Sequence, residues 1–213
     1  MKPDWSVTLN KMVVLHSASL TLQARGFDVS MIDIDQLAVK PVLRLETPEE
    51  KAFQTGCISF ATDSSSLSIH YQLQDEAEMA NGLEDFKRVV TAALGQAELG
   101  TVDHARLNLH CHTDMARESV ANLIGRDLAE KVGLSSDALA PDVFLHVPDG
   151  SGKGRLLVRA SGSAGSAIHR GSEVLVDYTV EWEKPSTAEP EMLEIDAKLE
   201  KLTGFVERLG DAL

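Results

Sequence analysis

Residues 174–213 read VLVDYTVEWEKPSTAEPEMLEIDAKLEKLTGFVERLGDAL, and two periods meet in them. Val174, Val176, Tyr178, Val180 and Trp182 take every second position, the spacing of a strand with one face on a core. After the link from Pro185 to Pro190 the spacing changes. Met192, Ile195, Leu199, Leu202, Val206, Leu209 and Leu213 recur at gaps of three and four, which draws one apolar stripe along a helix over 190–213. Pro190 suits a first turn, and Glu191, Glu194 and Asp196 complement its positive end. The stripe needs a cover, either the chain's own sheet or a second copy. In the second case Met192, Ile195, Leu199, Leu202, Val206 and Leu209 form an interface. Leu193 and Phe205 flank the stripe and broaden it, as a helix lying on a sheet requires.

A similar order appears earlier in the chain. Cys57 to Leu73 reads as a hairpin around Thr62-Asp63-Ser64-Ser65-Ser66, with Leu67, Ile69, Tyr71 and Leu73 alternating on the return. A helix from about Asp75 to Leu94 follows, carrying Met79, Leu83, Phe86, Val90 and Ala93 at helical spacing, and Gly95 and Gly100 come after its end. Strand and helix thus succeed one another twice, in halves 1–100 and 101–213 of similar order but no matching residues. Because strands cluster rather than alternate with helices, the fold class expected is α+β: one domain of antiparallel sheet with amphipathic helices on one side.

The remaining segments fill this frame. The even positions from Met12 to Ala24 are apolar apart from His16, which this reading places on the buried face. Val29 to Leu45 reads as another strand, broken or at an edge because Pro41 cannot donate to a ladder. Asp33 and Asp35 share one of its faces. Ala105 to His112 is a strand, and a second helix runs from near Asp114 to Val132 with Val120, Leu123, Ile124 and Leu128 inward. Val143 to Val147 and Leu156 to Val158 are strands around a loop over 148–154. That loop, with Gly150-Ser151-Gly152-Lys153-Gly154, fails as a phosphate loop: Gly154 follows the lysine where a Ser or Thr is needed, and no helix follows.

The totals restrict the function classes. Against 20 basic residues stand 33 acidic ones, a formal charge of −13. Such a chain is poorly suited to phosphate backbones or anionic membranes, so neither nucleic acid nor membrane is expected as a partner. No apolar run reaches membrane-spanning length and no signal peptide opens the chain, which makes the cytoplasm the expected location. Two cysteines, Cys57 and Cys111, lie in strand-like patterns and read as buried reduced thiols.

One cluster has the atom types of a reactive centre. On a strand, His110 and His112 share a face with Asn108, and Asp114 follows at the start of a helix. The text Leu109-His110-Cys111-His112-Thr113-Asp114 resembles the first metal-binding motif of the polymerase-and-histidinol-phosphatase family of multi-metal phosphoesterases. That resemblance implies His110 and His112 as the first two metal ligands. Asn108 stands where the family has Asp, and its later Thr-Asp-His motif is absent. The reading preferred is therefore a non-enzymatic acidic interaction or adaptor protein, of inhibitor or immunity type, without a cofactor, that self-associates or docks on a larger protein assembly. The alternatives are a hydrolase dependent on a divalent metal at His110, His112 and Asp114, and a small-molecule binding module.

Overall fold

The computed structural model describes residues 7–8, 13–37, 40–72, 81–113, 115, 119–120, 142–159, 174–185 and 194–212. Ten strands form one antiparallel sheet. They are β1 (Val7–Thr8), β2 (Val13–Ala24), β3 (Leu43–Glu46), β4 (Glu50–Gln54), β5 (Ile58–Asp63), β6 (Ser66–Gln72), β7 (Val102–Thr113), β8 (Asp142–Asp149), β9 (Gly152–Arg159) and β10 (Val174–Glu183). Nine of them lie in the order β3-β4-β5-β6-β2-β7-β10-β9-β8, and β1 pairs with the start of β2. The two longest strands, β2 and β7, sit side by side in the middle. Outward from that pair, β6, β5 and β4 on one side match β10, β9 and β8 on the other. In each case the last strand to form returns beside the first. The architecture is α+β with the sheet dominant.

Register explains which residues are inside. Tyr71, Ala18, Leu109, Tyr178 and Leu156 align across five neighbouring strands, and all five are buried. Period-2 alternation carries Leu20, Leu22, Leu107, Val176, Val180 and Trp182 to the same side. Two helices lie on that side, α1 (Gly82–Gln96) and α2 (Ile195–Asp211). Helix α1 buries Phe86, Val89, Val90, Ala93 and Leu94, with the Phe86 ring 6.1 Å from Tyr71. Helix α2 buries Ile195, Leu199, Leu202 and Val206 and holds Lys198 Nζ 5.8 Å over the Trp182 ring. Lys87 Nζ and Asp196 Oδ1, 2.9 Å apart, tie the two helices together. Each of the four buried α2 side chains contributes about 1.5–3 kcal/mol relative to exposure.

Several expectations need correcting. His16 is not on the buried face. Between Leu15↔Cys111 and Ser17↔His110 the register of β2 against β7 gains one residue, a bulge at His16. Val13 and Leu15 therefore join Ala18 and Leu20 inside, and His16 turns to the opposite face. The stretch 29–37 is not a strand but two 3-10 turns, Val29–Met31 and Ile34–Leu37. Asp28 accepts the Ser30 N–H at 2.9 Å, and Asp33 Oδ1 accepts the Asp35 N–H at 3.0 Å. Those local bonds compete with a ladder and win. Helix α1 runs through Gly95 to Gln96 and stops where Ala97 becomes extended. The expected loop over 148–154 is a two-residue hairpin turn, with Gly150 at φ +55 as its first position. Of the second helix, expected over 114–132, the described residues include only Met115, Ser119 and Val120.

Candidate functional site

Among the described residues α1 and α2 cover one face of the sheet, so the other face and the two outermost described strands are where chemistry or contact is to be sought. The outward positions of β2, β7, β10 and β9 form rows across the strands. His110 pairs with Asp177, and Arg159 Nε lies 3.7 Å from the other oxygen of that carboxylate. One step along, the Thr179 hydroxyl donates to Asn108 Oδ1 at 2.5 Å. Further on, Glu181 lies between Arg106 and Arg155, at 2.5 Å from each. Burial alone raises the Glu181 carboxyl, but the two guanidiniums outweigh it and hold it below the usual range. Opposite charges facing each other across strands stabilise the sheet. These rows are cross-strand ladders.

The histidines sit at one end of this face. His112 is 5 % exposed, and its Nδ1 is against His16 Nε2, with ring centroids 4.2 Å apart. His110 lies 6.0 Å from His16 by centroids. The sequence placed His110 and His112 on one face, and the structure does too; His16 arrives beside them through the bulge, which alternation alone hides. Asp114 falls outside the described residues. Among the described residues no three His, Cys, Asp or Glu side chains are grouped to hold a metal ion. Cys111 points to the helix side, where burial, and secondarily the Asp177 carboxylate, pushes its thiol well above the usual range. Cys57 is buried as well.

The acidic pair Asp33 and Asp35 is also committed. Asp33 Oδ2 accepts from Gln36 Nε2 at 2.8 Å, and Asp35 is bonded to Arg44 at 2.5 Å. For a small molecule there is a recess of about 290 Å³ near the β4–β5 turn, with Gln54, Ser59, His70 and Gln72 among its lining. It offers no cluster of convergent charged groups.

The seam of α2 is occupied within the chain. Ile195, Leu199, Leu202 and Val206 are buried against the molecule's own core, and Leu209 is partly buried against it. Met192 lies outside the described residues. A surface already covered by the sheet is not presented to a partner.

Under α2 lies a polar cluster the sequence did not announce. Asp149, 4 % exposed, accepts from the Tyr178 hydroxyl and from Lys198 Nζ, with Lys201 Nζ at 3.3 Å. Burial alone raises the Asp149 carboxyl, yet the bonds from Lys198 and Tyr178 hold it below the ordinary carboxylate range. Gly152 completes the arrangement: a Cβ there would lie 2.7 Å from Val180 Cγ1 and 2.8 Å from the Trp182 indole nitrogen. In the stretch that fails as a phosphate loop, Gly152 makes room for Trp182 and Gly154 for the Val147 carbonyl, Asp149 and the Tyr178 hydroxyl. This cluster pins the β8–β9 hairpin to α2.

The described surface also presents exposed apolar side chains. Among the described residues six large hydrophobic side chains are exposed, and all but Met31 lie on or next to the outer strands. Val42 (74 % exposed), Leu43 (65 %) and Leu45 (47 %) belong to the β3 edge. Phe144 (66 %) and Leu145 (39 %) belong to β8. No family model matches the chain, and no curated protein matches it in sequence.

Proposed function

We propose that this chain is an interaction protein that binds a protein partner, or a second copy of itself, through the edges of its sheet. The observation that carries the reading is the concentration of exposed apolar side chains on the two outer strands. An outer strand has unpaired N–H and C=O groups along its free side, and soluble proteins usually guard it with charge, proline or a cover. Apolar side chains beside such groups favour addition of another strand, in which the main chain supplies affinity and the side chains selectivity. A charge of −13 keeps the chain soluble and directs it away from nucleic acid, toward neutral or basic protein surfaces. No helix among the described residues is long and apolar enough to cross a membrane.

The test is affinity purification from the native host, with mass spectrometry of what is retained. Wild-type chain is compared with a triple variant, Leu43→Lys, Leu45→Lys and Phe144→Asp. The expected result is a stoichiometric component, another protein or untagged copies of the chain, kept by the wild type and lost by the variant. A wild-type chain that retains nothing, or a variant that retains the same component, contradicts the reading.

A further inference from the structure

The two ends of the sheet are finished differently. Counted outward from the central β2–β7 pair, β4 and β8 hold equivalent places, but among the described strands β4 is covered by β3 and β8 is the last. The β3 strand is only four residues long and carries Arg44 and Glu46, two of the guards that discourage further pairing. β8 has eight residues, and its register against β9 runs from Asp142↔Arg159 to Asp149↔Gly152 without a bulge. Between Val143 and Val147 it has no lysine and no proline. Its central residue Phe144 is 66 % exposed, on the face away from the helices and across from Leu157.

From this asymmetry we propose that β8 pairs antiparallel with the β8 of a second copy, forming a two-fold dimer centred on Phe144. The strand is self-complementary about that residue. A two-fold axis there sets Phe144 against the partner's Phe144, and Val143 against the partner's Leu145. Aromatic cross-strand pairs are among those that stabilise sheets. Shifting the centre to Leu145 loses this match, because Phe144 then faces the partner's His146. An isologous pairing also closes on itself, whereas joining β3 to β8 would propagate into an open filament.

The inference rests on the interaction reading and names its partner as the chain itself. Sedimentation velocity across a range of concentrations is expected to show wild-type dimer. Phe144→Asp places two carboxylates face to face and gives a folded monomer, whose melting temperature matches that of wild type diluted to monomer because the side chain is exposed in the single chain. A second variant fixes the register. Phe144→Cys is expected to form a reducible disulfide-linked dimer in air, while Leu43→Cys at the opposite edge forms no such cross-link; native Cys57 and Cys111 are buried and do not compete. A dimer that persists in Phe144→Asp, or cross-links equally well from position 43, overturns the proposal. Monomeric wild type that still retains a host protein overturns self-pairing alone, and monomeric wild type that retains none overturns the interaction reading with it.

Discussion

Lys198 is 5 % exposed, on a helix whose other buried residues are apolar or small, and it is tolerated because Asp149 meets it from the β8–β9 hairpin. A buried charge without its partner is costly, so Lys198→Met is expected to destabilise the chain by about 3–5 kcal/mol in urea denaturation at pH 7. The pH dependence carries the sign of a depressed carboxyl. Asp149 titrates below its unfolded value, so its contribution is full above the ordinary carboxylate range and is lost as pH falls through the folded value. The gap between wild type and Lys198→Met therefore narrows on acidification from pH 7 toward pH 3; a gap that widens contradicts the assignment. None of this was legible beforehand. Lys198 is one polar position on an amphipathic helix and Asp149 falls in the stretch expected as a loop, and nothing local in the sequence says that residues 49 apart will meet.

At the scale of elements, legibility followed the number of residues each segment commits to the core. Strands β7 and β10 and helix α2 repeat their apolar period over many residues; the strands lie where the period put them, and the helix of the expected 190–213 stretch runs from Ile195 to Asp211, with Glu194 ahead of its first turn. Strand β4 was not foreseen, because of its five residues only Phe53 is buried, and one residue has no period. The β2 alternation was read correctly from Ala18 onward and inverted before it, since a single inserted residue at His16 exchanges the faces. The α2 stripe was legible as a stripe, but its cover was not: a helix on a sheet and a helix in a dimer write the same pattern. Burial of Ile195, Leu199, Leu202 and Val206 within one chain decides in favour of the sheet. Leu202→Ala is accordingly expected to cost about 2–5 kcal/mol of stability and to leave the assembly state of the folded fraction unchanged, measured by denaturation and by sedimentation. Loss of assembly in a variant of undiminished stability would return the seam to the role of interface.

For the molecule as described, two four-strand units of like order meet at β2 and β7, and α1 and α2 cover the same face. That arrangement closes the centre of the sheet and leaves its chemistry at the margins. The charged groups of the uncovered face are largely consumed in cross-strand pairs, while the apolar side chains left to solvent stand at the ends. An edge is a property of topology, and the sequence of β8 alone does not say that its strand is last. A helix seam is visible in the sequence as a pattern, whereas an interface at the sheet edges can be proposed only once the topology is known. The most direct test is amide hydrogen exchange, read peptide by peptide, on the dissociated chain at high dilution and on the assembly it forms. New protection is expected in 142–147, or in 42–46 where a partner takes the other edge, with none added in 195–209. Added protection confined to 195–209, with both edges exchanging at unchanged rates, would contradict an edge-mediated function.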